Sequence, residues 1–404
     1  MTDRTAAQPD GVCPPSPRHR GAELTLRHHW MLDPGRVHLN HGSFGAVPRE
    51  TLAHQQELRE EMERDPVEWF QRLPGRVAAA RRQVARLLGA PEAATAFVAN
   101  ASAGVTVVLQ ALELPLGSRI VITDHLYGAV TMAVHRAAAR RGADVETVHL
   151  PLHWPLRDIA ERMVAALDAR TRLVVVDQIS SATARLFPVA EIAEACRARG
   201  IPLLVDGAHA PGMLAHPLAG LHGTYWVGNL HKWTCAPRGS AVLVADPADP
   251  DERRRLHPPI DSWGTPDAYP ERFDQQGTQD LTAWLAAPHA PSLIEQLHGW
   301  TAARRFMAGL AEHGQRIIAE RWGADLGEVR TAPAPAMRLV PLPPGHATDQ
   351  DSAHALQQVI SSRYGCATAI TTWHGRGFLR LSAHLYNAPA DYEHLAERCA
   401  ELFG

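Results

Sequence analysis

The chain has 404 residues, enough to bury a large core and to form more than one domain. Its 40 Lys and Arg stand against 43 Asp and Glu, for a formal charge of −3, which excludes a strongly basic nucleic-acid or membrane-surface footprint. No apolar run reaches membrane-spanning length, the N-terminus lacks an apolar signal core, and five widely spaced cysteines (Cys13, Cys196, Cys235, Cys366, Cys399) make no disulfide framework. A reducing cytoplasm is therefore the expected location.

Residues 1–21, with four prolines and little apolar content, predict a disordered leader too short for a DNA-binding helix-turn-helix. Leu39–Pro48, L-N-H-G-S-F-G-A-V-P, reads as a loop in which Gly42 and Gly45 allow backbone to approach a ligand closely. Helical periodicity follows over 49–65 and 75–89. A strand at Ala96–Ala99 then turns through Asn100–Gly104 into a helix over 105–112. Small residues at such a turn expose N–H groups at a helix N-terminus, an anion seat; Ser102 also reads as an ordinary N-cap.

Arg119–Thr123 is the next strand and runs into Asp124-His125-Leu126-Tyr127-Gly128. A helix over 129–141, a strand over 144–148 and a helix over 156–168 come after it. Arg172–Asp177 is the most apolar strand and ends in Gln178-Ile179-Ser180-Ser181-Ala182-Thr183. A helix over 188–199 leads to Ile201–Val205, a buried strand that stops at Asp206. Another apolar strand from Tyr225 ends near Lys232, and Gly239–Ala245 closes the series. Repeated strand–helix units of this kind predict an α/β fold, a mostly parallel sheet flanked by helices. The large domain should span 22–285, its N-terminal segment contacting a smaller α+β domain over 286–404. Within the latter, helical periodicity covers 288–321, a Pro-rich stretch over 331–345 surrounds a strand, and Cys366–Thr371 is a strand. Arg380 stands inside the apolar strand Gly377–Ser382, where an unpaired charge is costly. A substrate α-carboxylate held by the guanidinium fork, or a structural salt bridge, would answer it.

Strand-end Asp206 followed by strand-end Lys232 suits pyridoxal phosphate, which needs a lysine amine and an anion that keeps its pyridine nitrogen protonated. The 23 histidines are scattered and no CxxC spacing occurs, so no metal is expected.

V-D-G-A-H-A at 205–210 with G-N-L-H-K-W at 228–233 resembles the class V aminotransferase family of pyridoxal-phosphate fold type I enzymes. The L-N-H-G-S-F-G-A-V-P segment narrows the likeness to the isopenicillin N epimerase-like group, which also holds carbon–sulfur lyases and cyclising enzymes of alkaloid pathways. The similarity runs from about residue 30 to the C-terminus. It implies that Lys232 carries the cofactor and acts as base, that Asp206 pairs with the pyridinium, and that His125 lies flat on the ring. His209 would contact the ring's phenolic oxygen, and Ser180 would also belong to the cofactor site. Ser102, Ala103, Asn229 and His231 would hold the phosphate. Gln276–Asp280 resembles the family's G-T-x-D segment, by which the partner subunit's Thr278 would complete the phosphate site of a homodimer. Asn40, His41, Gly42 and Ser43 would border the pocket of an amino-acid substrate, with Arg380 on its carboxylate. Gln178 stands where His is usual, so no acid–base role is carried over to it.

These parts imply a carbanion at Cα and leave its fate open. β-Elimination of the carbon–sulfur lyase kind, in specialised metabolism, is the leading expectation, because a stacked His125 would occupy the face from which an epimerase must reprotonate. Epimerisation, transamination and oxidative decarboxylation or deamination are the alternatives, and a non-catalytic ligand sensor is a remote one. A persulfide-forming desulfurase is disfavoured, since Cys366 lies within a strand and not on a mobile loop.

Overall fold

A computed structural model describes residues 26–247 and 250–403; the expected leader lies outside the described residues. Seven strands form one sheet: β1 (Thr95–Val98), β2 (Arg119–Thr123), β3 (Asp144–Val148), β4 (Thr171–Asp177), β5 (Leu203–Asp206), β6 (Thr224–Asn229) and β7 (Ala241–Asp246). Their spatial order is β1-β7-β6-β5-β4-β2-β3. The run from β6 to β3 is parallel throughout, and β7 lies antiparallel between β6 and β1. Alternate residues feed two cores: Val174, Val176, Val205 and Trp226 on one face, Leu173, Val175, Leu204 and Val227 on the other. Helices cover both faces, which is why the central strands are apolar at nearly every position.

The parallel order sets the carboxyl ends of β4, β5 and β6 side by side, with Asp177 in register with Asp206 and Asp206 with Val227. Ligands of open α/β sheets collect at that end. Trp226 is wedged between Gly207 and Gly228, where an added Cβ would fall 2.3 and 2.2 Å from its ring. Gln178 accepts the Trp226 indole N–H at 2.9 Å and donates to the Pro217 carbonyl at 2.6 Å. Its amide is thus committed to packing.

A second sheet, ordered β9-β10-β8, contains β8 (Met337–Pro341), β9 (Ala369–Trp373) and β10 (Arg376–Ser382), all antiparallel. The N-terminal segment joins it: Val37–His38 pairs in parallel with Cys366–Ala367, and the Ser382 N–H donates to the Leu39 carbonyl. The expected strand Cys366–Thr371 is therefore two, each with its own partner. Cys366 is buried and its thiol faces the Tyr364 carbonyl. Among the described residues no helix is long and apolar enough to cross a membrane.

Three helix boundaries differ from expectation. The helix Pro66–Leu88 starts well before residue 75 because Asp65 accepts the Glu68 N–H and Pro66 opens the first turn. Its buried stripe of Trp69, Leu73, Val77, Val84 and Leu88 carries it through Pro74. Periodicity over 288–321 resolves into His289–Leu297 and Trp300–Trp322, divided at Gly299 with φ 75°. The helix Ala101–Ala111 begins four residues early, capped by Asn100 and not by Ser102.

Candidate active site

Lys232 follows β6, and its Nζ lies 3.0 Å from Nε2 of His209. Trp233 donates its indole N–H to Nδ1 of the same ring at 3.2 Å. Indole can only donate, so Nδ1 is the acceptor and the neutral ring carries its proton on Nε2. That proton points at Nζ, and the contact is a hydrogen bond only if the amine is uncharged. Burial brings Lys232 down to about 8, which puts the uncharged amine within reach of mildly alkaline pH, and burial with the Lys232 charge holds His209 well below the usual imidazole range.

The segment bearing Lys232 is held from behind. His41, expected to border the substrate pocket, is fully buried here, with one ring nitrogen on the Tyr386 hydroxyl and the other donating to the Lys232 carbonyl. Gly45, expected to approach a ligand, approaches this backbone: at φ 68° an added Cβ would lie 1.8 Å from the His231 carbonyl oxygen. Gly42 likewise packs on protein, donating its N–H to the Ser382 hydroxyl at 3.1 Å. These residues position the lysine loop and the small sheet.

Asp206 is buried and accepts the Ala208 N–H at 2.9 Å. Burial raises its pKa, while that N–H and the Lys232 charge pull it back. Beside it, Asp177 is pushed up further, by burial and then by the Asp206 charge, and its Oδ2 has no hydrogen-bond partner among the described residues. Two adjacent carboxylates in a dry site resist ionising together. Both carboxyls are pushed up, and Asp206, which accepts the Ala208 N–H, is the better placed of the two to carry the negative charge. In the sequence Asp177 is a strand end only; its partner is invisible until β4 and β5 are set in register.

His125 is buried, with Nε2 donating to the Leu150 carbonyl at 2.6 Å and Nδ1 facing the Thr183 hydroxyl at 2.7 Å. Burial brings it down to about 4, so the ring is neutral and locked. Ser180, expected at the cofactor, turns inward instead: its hydroxyl meets Thr183 at 2.6 Å and accepts the Arg185 N–H. It steadies the residue that steadies His125.

At the strand-to-helix turn, Asn100 accepts the Ala103 N–H and Asn229 accepts the Ala101 N–H, both at 2.9 Å. Ala103, expected as a phosphate donor, is thus already engaged. The Ser102 N–H and hydroxyl are the groups of that first turn without a protein partner among the described residues. His231 faces the Ser240 carbonyl through Nδ1, leaving Nε2, and burial with the neighbouring Lys232 charge brings it to about 4. Thr278 is exposed on the loop before Thr282–Leu285.

Arg380 reaches from β10 toward the rim of the large sheet. It donates to the Ser181 carbonyl and hydroxyl at 2.9 and 3.0 Å, to the Ser43 hydroxyl at 2.8 Å and to Asn40 Oδ1 at 3.2 Å. Ser43 also donates to Asn40, which is anchored on the Thr368 carbonyl. Every acceptor is neutral, Nε has none, and burial brings the guanidinium down to about 10. A salt bridge, the alternative reading from sequence, is not what the described residues provide. A buried cation so placed calls for an anionic ligand.

A buried lysine amine with a lowered pKa, a buried carboxylate, a helix N-terminus with an open N–H and an uncompensated guanidinium fit pyridoxal phosphate and an amino-acid carboxylate. The comparisons agree on the cofactor. The family model Aminotransferase class-V matches residues 64–395. Isopenicillin N epimerase of Streptomyces clavuligerus is 31% identical over 93% of this chain and 96% of its own. A probable chloroplastic L-cysteine desulfhydrase of Arabidopsis thaliana is 26% identical, over 93% of this chain and 84% of its own. A solved complex of the cystine C–S lyase C-DES with its product cysteine persulfide superposes with a TM-score of 0.78 at 21% identity, covering 91% of this chain and 98% of that one, and shares the fold.

Proposed function

The chain belongs to the class V aminotransferase family and is a pyridoxal-phosphate enzyme, and from that premise we propose that it is a lyase expelling a sulfur leaving group from Cβ of an amino acid or amino-acid conjugate. The carrying observation is that both nitrogens of His125 are committed, to Leu150 and Thr183. A neutral ring with no free nitrogen has no proton to give, so reprotonation of Cα from its side is disfavoured and loss of the β-substituent is the open route.

When bound, the cofactor supplies the sink for the electrons released at Cα. Lys232, its amine brought down to about 8 by burial, takes the Cα proton in its uncharged form and can return it to the departing sulfur. Asp206 pairs with the ring nitrogen, with the raised Asp177 carboxyl beside it. His209 donates from Nε2 toward the lysine or the phenolic oxygen. Ser102 and His231, with Thr278 of the partner subunit, hold the phosphate, so the working unit is a homodimer. Arg380 holds the α-carboxylate, exchanging hydroxyl partners for charged oxygens, while Asn40 and Ser43 keep its plane. A cytoplasmic setting and a role in specialised metabolism complete the proposal.

Epimerisation is the second reading, favoured by the relative at 31% identity. Turnover in deuterium oxide separates the two. Elimination yields a keto acid, ammonia and a sulfur fragment; epimerisation returns the amino acid intact, inverted and deuterated at Cα. Recovery of only the inverted acid, read by mass spectrometry and chiral chromatography, would overturn the lyase reading.

A further inference from the structure

Where the small sheet meets the rim of the large one, three side chains from distant parts of the chain converge. Asp124 follows β2, His149 follows β3, and His374 is the first residue of the two-residue turn between β9 and β10. Asp124 Oδ2 lies 2.7 Å from His149 Nδ1 and 2.7 Å from His374 Nε2. All three donor atoms fall within 4.8 Å of one another. The carboxylate is oriented by the Leu150 N–H, which donates to its other oxygen at 3.1 Å. Trp373 stacks on His149 with 12° between planes and meets His374 edge-on, so both rings are braced. His374 holds φ 48°, a left-handed turn conformation that Gly or Asn adopts more readily.

Two imidazoles and a carboxylate are a donor set for borderline divalent metals, whose ligands sit about 2.0–2.2 Å from the ion. The present spacings reach that geometry with small shifts. Each imidazole can keep its proton on the other nitrogen, and both rings are about half exposed, at 60% and 49%. No buried donor is stranded. The other His-containing cluster, His41, Cys235 and His384, differs on this point. Its imidazole nitrogens nearest the thiol face the Lys232 and Trp233 carbonyls, which a metal would leave unpaired.

We propose that Asp124, His149 and His374 bind one divalent cation of the zinc class, tying the β9–β10 turn to the rim of the large sheet. Water completes the coordination on the exposed side. Trp373, braced by two of the ligands, also packs on His125 with ring centroids 5.0 Å apart, so the cation stiffens one wall of the active site.

The test uses metal-stripped holoenzyme titrated with Zn²⁺ by calorimetry, in the wild type and in His149→Ala and His374→Asn, the latter chosen because Asn suits the turn. The expected result is one ion per chain, with affinity falling at least tenfold in each variant while the visible cofactor band and the circular dichroism persist. With Cu²⁺ as probe, the paramagnetic resonance spectrum should show two imidazole nitrogens in the wild type and one in each variant. Wild-type affinity in both variants, or less than one ion per chain in the wild type, would overturn the proposal. So would binding that vanishes when the cofactor is removed, which would assign the ion to the cofactor.

Discussion

Trp233 donates its indole N–H to Nδ1 of His209 at 3.2 Å, while the opposite nitrogen of that ring stands 3.0 Å from Nζ of Lys232. One residue next to the lysine thereby sets which nitrogen of a second ring faces the lysine amine. The rate of cofactor uptake by the apoenzyme should report this, because only the uncharged amine attacks an aldehyde. The lysine is held near 8, so uptake should climb with pH, about tenfold per unit at the low end, and level off above about 8. Trp233→Phe frees Nδ1 to carry the proton, turns Nε2 into an acceptor for the ammonium, and should move that midpoint upward. An unchanged midpoint in the variant would contradict the relay.

Arg380→Lys keeps the charge but cannot present two parallel donors. The loss in kcat/KM on amino acids should be on the order of 1–3 kcal/mol, roughly five- to 150-fold, and should shrink on the corresponding carboxamides. Equal losses on acid and amide substrates would remove the carboxylate from its proposed place.

Gln178→Leu leaves the fully buried Trp226 indole N–H and the Pro217 carbonyl without partners. An orphaned buried group costs about 1–3 kcal/mol, so the variant should unfold at lower denaturant while still taking up cofactor. A variant as stable as wild type would show that water replaces the amide.

Thr278→Ala should weaken cofactor retention without dissociating the proposed dimer, since the exposed hydroxyl is proposed to serve the neighbouring phosphate site. Light scattering at assay concentration, paired with cofactor titration, checks both halves. A fully active monomer would end the shared-site account.

Much of the large sheet could be read from the chain, because strands buried on both faces are uninterrupted apolar runs and the polar residue that ends each one is easily seen. Asp206 and Lys232 stand out for that reason. Less was legible where two residues compete for one role. Asn100 and Ser102 are both good helix caps, and only the extended backbone at Asn100 decides between them. Ser180 looks like a ligand-facing hydroxyl until its turn folds it onto Thr183. His41 and Gly45 lie in a motif that faces ligand on expectation, yet their contacts are with the lysine backbone, 191 residues away for His41. Local periodicity carries no information about such distant pairings, nor about the register that sets Asp177 beside Asp206.

The proposed carboxylate anchor joins distant residues: Asn40 and Arg380 are 340 positions apart, with Ser181 between them. Synthesis from the N-terminus can complete the seven-stranded sheet and expose Lys232 long before β10 leaves the ribosome. A nascent chain at that stage holds a reactive amine but no fork to select amino acids. On the proposed role of Arg380, substrate recognition is the last property the polypeptide acquires, and truncations that spare the whole large sheet should still erase it.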